Sequence, residues 1–377
     1  MARRGENIYK RKDGRWEGRY VTGKKDNGKT AFSYVYGKTY TEVKKRLEIY
    51  KGNQNLAGLL KDTKQVFGDG KLRTWLEYWL EEEIRPHVKE STYVVYRGQI
   101  ERHILPAIGN EPLVGVNRQS MKKLYQNILD KNISYATSHS ICKRFIAALQ
   151  SAYESNLIHE VPAIPFKKKN ETKKKAKFMT IHEQKTLEKK LDETKKKDLA
   201  ILLSLYTGLR VGECSALKWE DFDQLEKGMR ITHTVQRIHD YGNTNNKTTL
   251  LYSKPKTQAS VRFIPLPEFM IRLLSNLKKK HEGTEANFMF GVKERPIDPR
   301  VLQYHIEKIT NSLKIKGVHF HTLRHTFATR FMERGGDILA LKELLGHTSA
   351  KLTMDWYGHS TNEHIQQSMK KMKRLAA

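Results

Sequence analysis

The chain has 377 residues, with 70 Lys and Arg against 41 Asp and Glu and a formal net charge of +29. That length allows two or three domains with sizeable cores, and the charge favours a polyanionic partner, because each neutralised phosphate releases condensed counterions. Two cysteines, Cys142 and Cys214, exclude a disulfide framework and lack metal-site spacing, and the longest apolar run, around Leu199 to Leu209, is too short to span a bilayer.

No apolar stretch follows the first residues, so no secretory signal is expected, and a cytoplasmic protein is. Residues 1–55 read as a small sheet with one helix. Asp13-Gly14 between Asn7–Lys12 and Arg15–Tyr20 is a hairpin signal, and Thr30 to Tyr36 reads as a third strand. Thr39 and Glu42 form a capping-box pair ahead of Val43, Leu47 and Tyr50 at helical spacing. Residues 1–53 hold 15 Lys and Arg against 6 Asp and Glu, a net of +9, so this unit is expected to lie against DNA.

Residues 68–165 read as a helical bundle. Leu72, Trp75, Leu76, Trp79 and Leu80 keep helical spacing, as do Ile141, Phe145, Ile146 and Leu149. Ser91, Asn117 and Ser134 are expected N-caps, and Pro106 and Gly109 mark a turn between helices. Residues 166–177 are a basic linker, which either follows a phosphate backbone or is a plain solvated connection. Residues 178–377 read as mixed. Helices are expected at Thr180–Leu191, at Lys197–Leu205 and from Pro267, with strands at 229–236, 247–253 and 262–265. Ile365, Met369 and Met372 set an apolar stripe on a C-terminal helix. The expected fold is therefore multidomain and mainly α: a three-stranded sheet plus helix, a helical bundle, and a mixed α+β domain.

A phosphodiester repels nucleophiles, so cationic donors must gather its oxygens, and the planar fork of arginine suits that task. Histidine can manage a nucleophile's proton, and a tyrosine hydroxyl can attack phosphorus. Arg210, His321, Arg324, His347 and Tyr357 occur in that order, with Lys254 and Lys256 in a turn before a short strand. Singly these are weak signals: a surface cap, a helix end, or a packing tyrosine among 17. A metal site is not expected, because no carboxylate or cysteine pattern completes a ligand set around His319, His321, His325 and His347.

Their contexts are more specific. Thr207-Gly-Leu-Arg210-Val-Gly-Glu213, His321-Thr-Leu-Arg324-His325 and Leu344-Leu-Gly-His347, ten residues before Tyr357, resemble the three boxes of the tyrosine recombinases, or phage integrases. Pro255-Lys256-Thr257 resembles their β-hairpin lysine. The resemblance implies that Arg210 and Arg324 bind the scissile phosphate, and that His321 and His347 contact it or move a proton. It further implies that Lys256 (Lys254 as runner-up) protonates the leaving 5′ oxygen and that Tyr357 attacks, with Glu213 in support. His325, Trp356 and His359 are expected to pack, and Leu352, where many members have Ser or Thr, is expected to matter little. No cofactor or metal is implied.

The helical bundle resembles the family's core-binding domain, and the N-terminal unit resembles the arm-binding domains of phage and conjugative-transposon integrases. The implied function is site-specific integration and excision of a mobile element. The implied partners are double-stranded DNA at core and arm sites and a homotetramer joined through the C-terminal helix. Excisionase and DNA-bending host factors are further implied partners, with a bacterial nucleoid as the setting. The alternatives are a catalytically silent DNA-binding regulator on the same fold and a metal-dependent nuclease.

Overall fold

The computed structural model describes residues 7–11, 13–24, 30–37, 39–44, 46–47, 69–163, 177–242, 247–281 and 286–349. The chain divides into two compact units, Met1–Lys169 and Asn170–Ala377. Tyr50, the linker apart from Lys177, and everything from Ala350 onward, including Leu352, Trp356, Tyr357, His359 and the C-terminal helix, lie outside the described residues.

In the first unit, β1 (Ile8–Lys10), β2 (Trp16–Lys24) and β3 (Thr30–Gly37) form an antiparallel sheet in chain order. The turn closes where the Asp-Gly pair predicts it. Gly14 adopts φ +84, and the Arg11 amide donates to the Arg15 carbonyl at 2.8 Å. Residues 40–44 and 46–47 are helical, and Thr39 Oγ1 accepts from the Glu42 amide at 3.2 Å. Val43 and Leu47 pack on Ile8 and Val35. Gly18 permits this approach, because a Cβ there would meet Leu47 Cδ1 at 2.6 Å. Strand alternation turns the opposite face outward. Tyr9, Phe32, Tyr34 and Tyr36 are exposed on the sheet, with the Arg19 guanidinium 4.4 Å from the Phe32 ring centre and those of Arg11 and Arg15 at 5.5 and 5.9 Å from that of Tyr36.

The helices that follow are α1 (Leu72–Tyr78), α2 (Glu90–Gln99), α3 (Arg118–Asp130) and α4 (Tyr135–Glu154). Asn117 and Ser134 cap α3 and α4 as expected, Asn117 through a capping box with Ser120. Ser91 does not cap α2. The N-cap is Lys89, which offers no side-chain acceptor, and Ser91 lies inside the first turn. The turn expected at Pro106 and Gly109 falls at Gly109, while Pro106 lies inside the helical segment before it. From α2 the chain runs through a π-helical turn, Ile100–Ile104, into a helical segment, Leu105–Ile108. Proline removes the donor that would reach the Arg102 carbonyl, and Lys131 Nζ supplies one at 3.1 Å. Leu72, Trp75, Ile104, Ile141, Phe145 and Leu149 fill the core, and Cys142 is a small buried member of it.

The second unit is built round α6. Its described helices are α5 (Ile181–Lys190), α6 (Lys196–Thr207), α7 (Val211–Ala216), α8 (Glu268–Lys280), α9 (Pro299–Ser312), α10 (Phe320–Glu333) and α11 (Ile338–Leu345). The apolar run is the buried core helix α6, with Leu199 to Leu203 enclosed by α8, α9 and α10. No described helix is long and apolar enough to cross a membrane.

The strands are β4 (Phe222–Asp223), β5 (Gly228–Ile231), β6 (Thr234–His239), β7 (Thr248–Ser253) and β8 (Arg262–Pro265). They form a sheet in the order β4-β5-β8 and a separate β6-β7 hairpin. The single strand expected over 229–236 is thus two strands in two sheets. The chain changes sheet at Thr232-His233, where the Thr232 hydroxyl is hydrogen-bonded to both Asp221 and the His233 ring.

Candidate active site

Two helix ends and one helix start build the site. α6 ends on Gly208 at φ +67, where a Cβ would meet Phe327 Cδ1 at 2.6 Å and Leu345 Cδ2 at 2.7 Å. Only glycine fits there. The turn it makes delivers Arg210 as the N-cap of α7, with Glu213 one turn on. α11 ends on Gly346 at φ +64, and the next residue, His347, donates its amide to the Lys342 carbonyl at 3.1 Å.

Arg324 on α10 joins the two ends. It is 2% exposed and donates to the Gly208 carbonyl at 2.8 Å and to the Leu345 carbonyl at 2.7 Å. These are the orphan carbonyls that helix C-termini leave, and the guanidinium bonds both of them. His321 lies one turn earlier on α10, at the exposed rim, and His325 one turn behind it, buried, its ring edge-on to His321 at 4.5 Å.

Crowding by protein first, and then the positive charge of Arg324, pushes His321 and His347 down to about 4, with Arg210 acting on both. Burial first, then its neighbour His321 and Arg324, does the same to His325, also about 4. Water at the rim screens His321 more than the other two. Near neutral pH all three rings are therefore neutral, and a neutral imidazole can accept a proton. Arg210, Arg324, His321 and His347, predicted separately from the sequence, lie in one positive cluster, close enough for their charges to act on one another.

Glu213 is the buried counter-charge. Its side chain is 4% exposed, and both oxygens are fully engaged. Oε1 accepts from Arg210 at 2.7 Å and Arg262 at 3.2 Å, while Oε2 accepts from the Arg210 amide and from Arg262, both at 3.0 Å. Burial raises its pKa, but the charge of Arg262, then the hydrogen bonds and Arg210, outweigh this and hold the carboxyl below its usual range. Arg262 was not singled out by motif. A signal existed nonetheless: in β8 it shares the inward side with buried Ile264, and a charge on the inward side of a strand needs a partner.

Lys256 is not drawn into this cluster. It is exposed on the loop between β7 and the turn Gln258–Ser260, as is Lys254. Tyr252 anchors that end of β7, stacking on His233 at 4.5 Å and meeting Phe288 edge-on at 5.5 Å. Among the described residues no three His, Cys, Asp or Glu side chains group to hold a metal ion.

Residues 177–364 match the model of the phage integrase family, and residues 71–129 match the phage integrase N-terminal SAM-like domain. A tyrosine recombinase XerC-like protein of Caldanaerobacter subterraneus subsp. tengcongensis is 28% identical over 364 residues, covering 89% of this chain and 90% of that one. Among solved structures, a Tn1549 transposon integrase in complex with a circular intermediate DNA superposes with a TM-score of 0.65 at 21% identity, covering 80% of this chain and 99% of the other. A lambda integrase tetramer bound to a Holliday junction gives 0.56 at 16% identity, covering 96% and 99%. At these identities the two structures show the shared fold.

Proposed function

The chain belongs to the phage integrase family of tyrosine recombinases, which are site-specific DNA recombinases, and from that premise we propose how its own residues carry out the reaction. Arg210 and Arg324 gather the non-bridging oxygens of the scissile phosphate. Tyr357 Oη attacks phosphorus and the P–O5′ bond breaks. The tyrosine proton passes to a neutral His321 or His347, and the departing 5′ oxygen takes a proton from Lys256, with Lys254 as the alternative donor. The 3′-phosphotyrosyl bond conserves the energy of the cut strand, so a 5′ hydroxyl from the exchange partner reverses the step without ATP. Lys256 on an exposed loop fits a donor that meets the phosphate only when DNA is bound.

The observation that carries this reading is the pocket in which one buried arginine pins the turns bearing Arg210 and His347. The substrate is duplex DNA at core sites, and the exposed Arg and aromatic face of the N-terminal sheet is the contact for arm sites. The DNA moved is a mobile element, and the working assembly is a homotetramer joined through the C-terminal helix. Excisionase and DNA-bending host factors set direction, and the reaction takes place at the host nucleoid in the cytoplasm.

The test is incubation with a nicked core-site duplex in EDTA, followed by a search for a denaturant-stable protein–DNA adduct. The unmodified protein forms it, and Tyr357→Phe binds the duplex without forming it. Binding with no adduct from the unmodified protein identifies a silent DNA-binding regulator instead. Cleavage that EDTA abolishes identifies a metal-dependent nuclease.

A further inference from the structure

We propose that Arg262 is a positioning residue that keeps Arg210 available to phosphate by sharing the charge of Glu213; this rests on the reading that Arg210 binds the scissile phosphate. A carboxylate offers about four acceptor positions. Arg210 fills two of those on Glu213, one through its backbone amide, and the forked guanidinium of Arg262 fills the other two. One negative charge is therefore divided between two arginines. Arg262 is the buried partner, 7% exposed, while the Arg210 side chain is 38% exposed and opens to the pocket.

Without Arg262, Glu213 would be a buried carboxylate facing a single cation. Arg210 would close on it as a two-pronged pair, and the pocket would lose one of the two positive charges that gather the phosphate. Arg262 also fixes the other side of the site. Its Nε donates to the Leu344 carbonyl at 2.6 Å and its Nη1 to the Ser260 carbonyl at 3.1 Å. A Cβ on Gly346 would lie 3.1 Å from Arg262 Nη1, so the turn that carries His347 is seated directly on this guanidinium. One side chain on β8 thus sets the charge of Arg210 and the place of His347.

A plain structural bond between β8 and α7 would leave the same contacts, so the test must separate charge sharing from adhesion. Full-length Arg262→Met, Arg262→Lys, Glu213→Gln and the double variant Arg262→Met/Glu213→Gln are compared on the nicked core-site duplex in EDTA. The readouts are melting temperature, duplex affinity and single-turnover adduct formation. Arg262→Met slows adduct formation roughly a hundredfold, the lower end of what losing one preorganised donor costs, while affinity for the duplex changes far less. Arg262→Lys falls between, because it keeps the charge but not the fork. Adding Glu213→Gln to Arg262→Met recovers about fivefold or more of the rate, because the neutral amide no longer neutralises Arg210.

That recovery is what adhesion does not give, since the second change removes a further contact. Wild-type rate in Arg262→Met, or a double variant no faster than the single, overturns the proposal. If Arg262→Met does not fold, the same comparison is made between Arg262→Lys and Arg262→Lys/Glu213→Gln. If the unmodified protein gives no adduct, the recombination reading fails and this inference falls with it. An adduct from the unmodified protein together with an unimpaired Arg262→Met overturns this inference alone.

Discussion

Arginine is used in opposite ways in the two units. On the N-terminal sheet Arg11, Arg15 and Arg19 lie over exposed rings of Tyr36 and Phe32, with Arg11 also paired to Asp13 and Glu17 and Arg15 to Asp13 at the surface. In the second unit Arg324 and Arg262 are buried, and they donate to carbonyl oxygens and one carboxylate. A surface arginine keeps its hydration until DNA displaces it, so each contributes a small, salt-screened and nearly additive share of binding. A buried arginine has already lost its water, so its fixed partners make it stiff and its removal leaves other groups stranded. Diffuse attraction suits holding a long duplex, and a stiff donor suits one phosphate.

The largest effect that would sharpen this contrast is expected at Arg324. Arg324→Ala strands the Gly208 and Leu345 carbonyls and opens a cavity, so unfolding free energy falls by about 3 to 5 kcal/mol and adduct formation is lost. Chemical denaturation and adduct formation on the nicked core-site duplex check both. Glu213→Ala comes next. It leaves two cations adjacent and partly buried, and should lower stability by about 3 kcal/mol in the same denaturation experiment.

The third effect is one of pH. Burial and nearby cations push His325 and His347 down to about 4 from an ordinary 6.5 and lower His321, which water screens at the rim, in the same direction, so between those values the unfolded chain binds more protons than the folded one. Stability therefore falls as pH drops from about 6.5 towards 4, and these three contribute no such slope above 6.5. Calorimetry with His325→Gln, which should flatten the slope, checks the sign.

The smallest effect lies on the sheet. Arg19→Ala should weaken arm-site DNA binding by roughly 0.5–1 kcal/mol and lower the salt slope by about one, with core-site cleavage unchanged. Cleavage that fell with Arg19, or binding that ignored salt, would break the comparison.

Much of this was legible in the sequence, and the failures have physical causes. Local signals succeeded where the partner is local. Asp13-Gly14 makes its turn, and Asn117 and Ser134 cap their helices; the boxes around Arg210, His321, Arg324 and His347, linked by the family resemblance rather than by a local signal, come together although Arg324 and Gly208 stand 116 positions apart. Signals failed where a distant residue decides. Pro106 continues a helix because Lys131, 29 residues from Arg102, supplies the missing donor. The 229–236 stretch breaks because Thr232 bonds back to Asp221. Arg262 reads as one basic residue among 70 until Glu213, 49 positions away, is seen beside it.

The most direct measurement is the identity of the residue joined to DNA. The adduct formed on a nicked core-site duplex in EDTA is digested with trypsin, and the DNA-linked peptide is sequenced by mass spectrometry. The expected product is the peptide between Lys351 and Lys370, whose only tyrosine is Tyr357, carrying a 3′-phosphate link. A link at another tyrosine, or at a residue other than tyrosine, contradicts it.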